Sequence, residues 1–369
     1  MYSEELDQFA EVLVEKAKVS EGDYVYLLCP SLDALPLFEE VRRKIIEIGA
    51  YPHEHLLYDS QIGSGGMDYD LIKNSSNERL EHMSEAKMAE IKKMDGYIRI
   101  GGASNTRDMT GLDSEKVSTR KKATRPILEE RLEKNWVVTR YPTTGLAQDA
   151  EMPTKEFEKF VYNAVTGIDY EEQYEKNEEI KELFDQADEV RIVSEDTDLT
   201  LSIKGREGEN DHGSHNIPCG EVFYAPKKYS LNGHIKFNYP AVSDGTWVKG
   251  VYLEFEDGKI VDYSAESNEE FLKDMIETDE GSQYIGELGI GTNRMIDKFT
   301  GNTLFDEKIG GSIHMAIGNA YEKTVPEGEE RNESGIHWDI VKDLRKQAGK
   351  GGKIILDGEV VQEDGEWVF

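Results

Sequence analysis

Hydrophobic and polar positions follow two different periods along the first half of the chain. Leu6, Phe9 and Leu13 recur at the spacing of a helix with one buried face. The apolar run 24–29 (YVYLLC) is typical of a buried strand. Further helices are predicted near 32–48, 78–93 and 126–134, and further strands near 53–58, 97–100 and 136–140. This alternation predicts an α/β domain with a mainly parallel, open sheet.

The pattern changes after the strongly charged stretch 169–188, which predicts an exposed helix leading out of the first domain. Asp257-Gly258, between two apolar runs, predicts a β-hairpin. Short strands separated by turn residues are predicted at 190–193, 199–203, 220–225, 234–239 and 247–255. We therefore predict two domains, an α/β domain at 1–185 and an α+β domain with an antiparallel core at 186–369.

Composition narrows the range of functions. The chain has 369 residues, which is long enough for two separate cores. Its 43 Lys and Arg residues are outnumbered by 75 Asp and Glu residues, and the formal net charge is -32. Such a surface repels nucleic acid phosphates and anionic lipids. We therefore expect neither a nucleic acid partner nor a membrane surface.

Cysteine usage and the amino terminus indicate the compartment. Cys29 and Cys219 are the only cysteines, too few for a disulfide framework or a cysteine zinc site. The amino-terminal segment is acidic and amphipathic, unlike a signal peptide, and no apolar run has the length of a membrane span. We expect a cytoplasmic protein.

The stretch 306–321 (DEKIGGSIHMAIGNAY) contains the first candidate chemistry. Gly310 and Gly311 interrupt the chain, and we predict that the apolar run beginning at His314 opens a buried helix. On such a helix Tyr321 lies two turns further on, on nearly the same face, so an imidazole and a phenol point into one cavity. Taken alone, the pattern also describes a core helix with a hydrogen-bonded histidine and a buried tyrosine.

Other carboxylates and imidazoles of the second half lie in apolar or glycine-rich surroundings, where an unpaired charge is costly. Glu221 opens an apolar strand, and Glu287 lies among apolar residues and glycines. His337 and Asp339 face the same side of a predicted strand. With the groups of 306–321, they form an oxygen and nitrogen ligand set. Such a set is expected for a catalytic pair of divalent ions such as Zn, Co or Mn.

Three other groups allow a second interpretation. The segment 101–105 (GGASN) follows a strand and offers backbone N–H groups to an anion, but it lacks the full dinucleotide fingerprint. His53 and His55 point to the same side of a predicted strand and either bind a metal or face solvent. His212 and His215 offer a competing metal site or lie in an exposed loop. We favour exposed positions for both histidine pairs.

Several segments carry a resemblance to a known family, in the family's order and with similar gaps. In the second half they are 216–226 (NIPCGEVFYAP), 286–289 (GELG), 303–307 (TLFDE), 314–318 (HMAIG) with Tyr321, and 336–339 (IHWD). The segments 111–113 and 140–143 extend the match into the first half. Together they resemble the aminopeptidase T/aminopeptidase S family of metallo-aminopeptidases.

The resemblance implies a metal site in the carboxy-terminal domain, with the first domain as cavity wall and dimer support. It also implies a homodimer that encloses a cavity for short peptides. The ligands that it implies for two divalent ions are Glu221, Glu287, Glu307, His314, His337 and Asp339. Glu287 would bridge the two ions. The chain departs from the family pattern between Glu307 and His314, where two additional residues are present.

The implied reaction is hydrolysis of the first peptide bond by a water molecule that two cations activate. Glu287, or whichever carboxylate lies beside that water, would act as the general base, and Tyr321 would donate a hydrogen bond to the developing oxyanion. Two alternatives stay open. One is a metal-dependent ring-cleaving dioxygenase, because a 2,5-dihydroxypyridine dioxygenase distantly resembles this family. The other is a non-catalytic metal-binding protein.

Overall fold

The computed structural model describes residues 4–57, 68–243, 245–346, 349 and 351–369. The chain forms two compact units, Met1–Ile168 with Gly213–Pro218, and Asp169–His212 with Cys219–Phe369. Helix α9 (Tyr170–Asp185), expected at the end of the first domain, groups with the second unit. The physical reason is that its Ile180 and Phe184 are buried in the core of that unit.

Four parallel strands form the sheet of the first unit, in the order β2-β1-β3-β4. The strands are β1 (Tyr24–Cys29), β2 (Tyr51–Leu56), β3 (Gly96–Gly101) and β4 (Asn135–Arg140). The helices are α1 (Glu4–Lys16), α2 (Leu35–Ile48), α3 (Tyr69–Asn74), α4 (Asn77–Leu80), α5 (Glu85–Lys93), α6 (Ser114–Leu132), α7 (Thr144–Asp149) and α8 (Thr154–Thr166). Helices connect successive strands, as parallel pairing requires. The predicted α/β sheet is confirmed.

Local capping explains where this unit differs from the prediction. The helix predicted at 78–93 is two helices, because the Ser84 side chain caps a new start by accepting a hydrogen bond from the Lys87 N–H. Helix α6 begins at Ser114 rather than near 126, because Asp113 caps it and Pro126 lies inside it. The end predicted for β2 at Tyr58 lies outside the described residues.

The second unit is built from antiparallel sheets, which confirms the predicted core. Its strands are β5 (Glu189–Ser194), β6 (Thr197–Ser202), β7 (Glu209–Asp211), β8 (Glu221–Tyr224), β9 (Asn232–Lys236), β10 (Ala241–Ser243), β11 (Thr246–Val248), β12 (Tyr252–Glu256), β13 (Lys259–Ser264), β14 (Ile285–Gly291), β15 (Ser312–Gly318), β16 (His337–Asp343), β17 (Gly352–Leu356), β18 (Glu359–Glu363) and β19 (Glu366–Trp367). Besides α9, its helices are α10 (Glu269–Ile276) and α11 (Thr303–Asp306).

The strands of this unit form a sheet of eight, a sheet of five and a separate pair. The eight-stranded sheet has the order β13-β12-β9-β6-β5-β17-β18-β19, and β10 pairs with β11. The five-stranded sheet has the order β16-β15-β14-β8-β7. The predicted hairpin joins β12 and β13, and both Asp257 (φ 47°) and Gly258 (φ 83°) adopt the left-handed conformation that such turns require.

Strand alternation divides the five-stranded sheet into two faces. One face contributes Val222, Leu288, Met315 and Trp338 to a core cluster that also contains residues of the eight-stranded sheet. The residues between these core positions therefore point to the opposite face. That second face carries the acidic and histidine side chains that the sequence analysis identified.

The predicted helix at His314 is wrong, because His314 lies in the middle of strand β15. The run alternates Ile313, Met315 and Ile317 on the core face with His314 and Ala316 on the other face. Pairing with β14 on one side and β16 on the other fixes the extended conformation. A short apolar run does not distinguish a helix from a strand by its period alone.

None of the helices in the described ranges is both long enough and apolar enough to cross a membrane.

Candidate metal centre

Four neighbouring strands place five of the six expected ligands on one face of the five-stranded sheet. Those residues are Glu221 on β8, Glu287 on β14, His314 on β15, and His337 and Asp339 on β16. In the sheet register, Gly289 lies opposite His314, and Ala316 lies opposite both Glu287 and Asp339. Small residues at these positions leave room above the sheet for larger polar side chains.

His314 lies at the centre of this face and is completely buried. Its Nδ1 is 3.1 Å from the carbonyl oxygen of Glu307, which accepts but cannot donate, so Nδ1 carries a proton. Nε2 is then the nitrogen available to a metal. It lies 3.0 Å from Oε1 of Glu287 and 3.5 Å from Oε2 of Glu221.

His337 repeats this arrangement on the next strand. Its Nδ1 donates to the carbonyl oxygen of Asn319 over 2.8 Å. Its Nε2 lies 3.4 Å from Oδ1 of Asp339 and 4.0 Å from Oε2 of Glu287. Glu287 thus presents one carboxylate oxygen to each of the two histidines.

The electrostatics of the face favour positive charge. Burial alone would lower the pKa of His314, but the hydrogen bond to Glu287 and the charges of Glu221 and Asp339 raise this pKa to about 9. Burial acts in the same direction on His337, yet Asp339 and Glu287 raise its pKa to about 10. The carboxylates therefore attract cations more strongly than burial excludes them.

Three of the expected ligands each have one buried carboxylate oxygen that accepts no hydrogen bond from the described residues. These oxygens are Oε2 of Glu221, Oε2 of Glu287 and Oδ1 of Asp339. Leaving a buried acceptor unsatisfied costs roughly 1–3 kcal/mol, and more when the group is charged. A site that binds a cation gives these oxygens a partner.

The spacing of the ligand atoms suits divalent ions. Around Zn²⁺, ligands with bonds of about 2.1 Å are separated by roughly 3.4 Å in a tetrahedron. Nε2 of His314 lies 3.5 Å from Oε2 of Glu221 and 3.0 Å from Oε1 of Glu287. Nε2 of His337 lies 3.4 Å from Oδ1 of Asp339 and 4.0 Å from Oε2 of Glu287. Two overlapping groups, Glu221–Glu307–His314 and Glu287–His314–Asp339, have ligand atoms within 4.8 Å of one another.

Glu307, the sixth expected ligand, lies at the end of α11. Its backbone carbonyl orients His314, while its side chain contacts the ammonium of Lys308. Asp306 fixes the segment before it by accepting hydrogen bonds from the N–H and the hydroxyl of Thr300, at 2.7 and 2.8 Å. Burial raises the pKa of Asp306 to about 8.

Lys308 is a component of the centre that the sequence analysis missed. Its side chain is 0% exposed. Nζ contacts Oε1 of Glu307 and lies 3.2 Å from Oε1 of Glu221 and 3.8 Å from Oδ2 of Asp211. Burial opposes the charge on Lys308, but these carboxylates raise its pKa well above the ordinary value. The sequence signal was a lysine directly after Glu307 in a glycine-rich, apolar segment.

Gly289 leaves the space that the His314 ring occupies. A methyl group added at Gly289 would lie 2.0 Å from Cε1 and 2.1 Å from Nε2 of His314. Every other residue type therefore displaces the imidazole. This explains in physical terms why a glycine stands two residues after Glu287.

Tyr321 reaches the centre by a different route from the predicted helix. It follows the end of β15, and its ring centroid lies 4.9 Å from that of His337. The residue is 45% exposed, so one side of it is open to an incoming molecule. Desolvation, together with the charges of Glu287 and Asp339, raises the pKa of Tyr321 well above its usual value. The phenol is therefore a proton donor at neutral pH.

Buried polar side chains of helix α9 form hydrogen bonds with the backbone beside the centre. The sequence analysis also missed this buried polar face. Nδ2 of Asn177 donates to the carbonyl oxygens of Asp211 and Glu221, both over 3.3 Å. Its Oδ1 accepts from the hydroxyl of Thr292 and from Nε2 of Gln173, at 2.7 and 2.9 Å. The helix expected to be exposed is thus exposed on one side only.

The other histidines noted in the sequence have different surroundings. His55 stacks on Tyr26 with ring centroids 4.0 Å apart, and His53 is 43% exposed. Nδ1 of His212 lies 3.1 Å from the carbonyl oxygen of Asn210, and His215 packs against Trp136. Within the described ranges, none of these four histidines belongs to a group of three converging ligand atoms.

Comparison with known proteins gives one family over nearly the whole chain. The model of the thermophilic metalloprotease family M29 matches residues 2–367. Aminopeptidase AmpS of Bacillus subtilis (strain 168) is 27% identical to this chain over 418 aligned residues, covering 100% of the chain and 99% of the relative.

Solved structures share the fold. Wild-type AmpT from Thermus thermophilus superimposes with a TM-score of 0.82 at 22% identity, covering 100% of both chains. A 2,5-dihydroxypyridine dioxygenase from Pseudomonas putida KT2440 gives a TM-score of 0.61 at 16% identity, covering 98% of this chain and 96% of the other. At these identities the likeness concerns the fold alone.

Proposed function

Because the chain belongs to the thermophilic metalloprotease family M29, we propose that it is a metal-dependent aminopeptidase that removes amino-terminal residues from short peptides. The full-length relative named as an aminopeptidase supports this activity. The observation that carries the proposal is the position of Glu287, whose two carboxylate oxygens face the Nε2 atoms of His314 and His337.

The proposed metal ligands are the groups that converge on the second face of the five-stranded sheet. They are Glu221, Glu287, Glu307, His314, His337 and Asp339, with Glu287 shared between two positions. The ligand set fits two divalent ions, and Zn, Co or Mn are all compatible with oxygen and imidazole ligands. When bound, such ions lower the pKa of a water molecule and polarise the substrate carbonyl.

The chain's own side chains supply the proton transfers and the substrate contacts. A carboxylate oxygen of Glu287 takes the proton of the attacking water and delivers it to the leaving amine. The Tyr321 hydroxyl donates a hydrogen bond to the oxygen that becomes negative at the scissile carbonyl, an interaction worth about 3 kcal/mol. A carboxylate of the same face holds the free α-amine, which explains cleavage at the amino terminus.

The similarity to the dioxygenase structure does not change this proposal. The two proteins share a fold, but only 16% of their aligned residues are identical. The carboxylate-rich face and the phenol of Tyr321 are typical of hydrolysis. A ring-cleaving dioxygenase binds an aromatic substrate and molecular oxygen. Neither the carboxylate-rich face nor the phenol has an evident role in that binding.

We further propose that the protein is a cytoplasmic homodimer. The resemblance to the aminopeptidase T/aminopeptidase S family supports the dimer. Cys29 and Cys219, both buried as thiols, support a reducing compartment. Light scattering of the purified protein at several concentrations tests the oligomeric state directly.

The activity is tested with unblocked and amino-terminally acetylated di- and tripeptides. Metal-stripped protein, with Zn, Co or Mn restored, is expected to release free amino acids from the unblocked peptides only. Glu287→Gln is expected to abolish this release. The matched control is Glu90→Gln in the first unit, a carboxylate that also lies between two histidines, His53 and His55. It is expected to keep full activity.

Two results would contradict the proposal. One is the absence of turnover with every metal by folded protein that binds divalent ions. The other is equal release from acetylated and unblocked peptides, because an aminopeptidase requires the free α-amine.

A further inference from the structure

Three arginine side chains lie in a row along one face of strand β3 in the first unit. Side chains alternate along a strand, so Tyr97, Arg99 and Gly101 share this face. The guanidinium of Arg131 lies over the Tyr97 ring, 5.1 Å from its centroid. The guanidinium of Arg140 lies over Gly101, where an added methyl group would be 2.6 Å from Nη1 of that arginine. Arg99 lies between them, and we call Arg99, Arg131 and Arg140 the arginine row.

The arginine row lacks the carboxylates that accompany other arginines of this unit. Arg42 and Arg125 each donate to a glutamate, over 2.6 and 2.9 Å. Among the residues that the structure describes, no member of the row forms an ion pair with an Asp or a Glu. Nε of Arg99 and Nε of Arg131 are buried without a hydrogen-bond partner there, and Arg140 donates only to a backbone carbonyl, over 3.4 Å.

Burial makes this concentration of positive charge costly. Arg131 is 7% exposed, and desolvation lowers its pKa. Desolvation and the charge of Arg99 also lower the pKa of Arg140. The rings of Tyr97 and Trp136 stabilise Arg131, but they carry no net charge and leave the repulsion between the guanidiniums in place. A bound anion would offset that repulsion.

The row ends at the edge of the sheet where open α/β folds bind their ligands. In the strand order β2-β1-β3-β4, successive connections leave β1 on opposite sides, so the switch point lies between β1 and β3. Gly101 is the last residue of β3, and Arg140 is the last residue of β4. The segment 101–105, noted in the sequence for its backbone N–H groups, begins at this edge. Arg99 and Arg140 are partly exposed, so a small ligand can reach them.

We propose that the first unit binds a phosphate group at Arg99 and Arg140, beside the carboxyl ends of β3 and β4. Each guanidinium offers a fork of N–H donors, and two forks from different strands suit the several oxygens and the double charge of a phosphate. The net charge of -32 opposes an extended polyanion, so the ligand is free phosphate or a small phosphorylated molecule. This site is separate from the residues of the candidate metal centre and goes beyond the proposed aminopeptidase activity.

The test is calorimetric titration of the whole protein with inorganic phosphate. The titration is made on metal-loaded protein and repeated after metal removal, because bound metal ions also attract phosphate. Wild type is expected to show, in both states, a site with Kd below about 1 mM. Arg99→Gln and Arg140→Gln are each expected to weaken this binding at least about 10-fold, since each removes charge-assisted hydrogen bonds. The matched control is Arg125→Gln, which removes an arginine paired with Glu129 and is expected to keep the wild-type affinity.

Two conservative variants cover the case that a glutamine variant does not fold. Arg99→Lys and Arg140→Lys keep the positive charge but lose the planar fork, and each is expected to weaken phosphate binding at least about 3-fold. No saturable binding by wild type up to about 10 mM phosphate would overturn the inference. Unchanged affinity in the folded variants of both arginines, or a site that disappears with the metal, would overturn it as well.

Titrations with acetate and phenyl phosphate define the class of ligand. Acetate is expected to bind at least about 10-fold more weakly than phosphate, because it has two oxygens and a single charge. Equal or tighter binding of acetate would overturn the phosphate assignment. Tighter binding of phenyl phosphate than of inorganic phosphate would support a phosphorylated molecule as the ligand, and the reverse order would support free phosphate. Peptide release is not measured, so failure of this inference is distinguishable from failure of the proposed function.

Discussion

Both units of the molecule place a pair of histidines on β-strands beside a glutamate, but the two pairs have very different surroundings. In the first unit, His53 and His55 lie on the edge strand β2 and share the single carboxylate of Glu90, at 3.9 and 2.9 Å. Their side chains are 43% and 27% exposed. Water competes there with any ligand interaction.

In the second unit, His314 and His337 lie on the adjacent strands β15 and β16. Each ring is fixed by a backbone carbonyl that accepts from Nδ1, and each Nε2 faces carboxylates. The two histidine pairs thus differ in ring fixation, burial and the number of converging oxygens. The comparison teaches that these three properties, rather than the presence of histidine and glutamate on strands, make a metal centre.

The largest loss of metal binding and activity is expected when the space for the His314 ring is filled. Gly289→Ala is expected to displace this imidazole, since the added methyl group would lie 2.0 Å from Cε1. A metal ion contributes several kcal/mol to the transition state, so kcat/KM is expected to fall about 1,000-fold or more. Metal content, measured by mass spectrometry after dialysis, is expected to fall in parallel.

The matched control is Gly96→Ala on strand β3 of the first unit. A methyl group at Gly96 meets its nearest neighbour at 3.7 Å, an ordinary contact distance. This variant is expected to keep its metal content and activity. A folded G289A protein with normal metal content would show that His314 is not a ligand.

A smaller effect is expected when only the proton donor is removed. Tyr321→Phe keeps the ring beside His337 but removes the hydroxyl that donates to the developing oxyanion. The expected loss is about 100-fold in kcat, with metal content unchanged, as for the removal of one oxyanion donor. Steady-state kinetics on an unblocked dipeptide give the measurement. Loss of metal instead of kcat would assign Tyr321 a structural role.

The smallest effect is expected in the first unit. His55→Ala removes a ring that stacks on Tyr26 and contacts Glu90. We expect metal content to be unchanged and kcat/KM to stay within about 2-fold. The loss of the stacked pair costs about 1 kcal/mol of unfolding free energy, which thermal denaturation measures. A loss of one metal ion per chain in this variant would show that the histidine pair of the first unit also binds a metal.

The sequence predicted one strand of the centre correctly and another wrongly, for a common reason. Alternation around Trp338 placed His337 and Asp339 on one face, as the structure confirms. The apolar run around His314 offered no such contrast, because its alanine and isoleucines are apolar on both faces of the strand. Only the partner strands on both sides decide its conformation, and a single sequence does not contain that information.

Other parts of the centre could not be predicted from the pattern of apolar residues. Lysine beside glutamate usually faces solvent, and the glycine-rich, apolar segment around Lys308 was the one local signal that it lies in the interior. Asn177 and Gln173 are polar, so a helix that buries them looks exposed in a hydrophobic pattern. The family segments located the ligands, but not the cation and the amides that orient them.

The central claim is that Glu287 joins two metal positions in one centre. Its most direct test is the number of divalent ions bound per chain, measured by mass spectrometry in metal-reconstituted wild type and Glu287→Gln. The account predicts two ions in the wild type and fewer than one in the variant, because the amide offers only a neutral oxygen to one position and a non-coordinating NH2 group to the other. Two ions retained by folded Glu287→Gln, or one ion in the wild type, would contradict it.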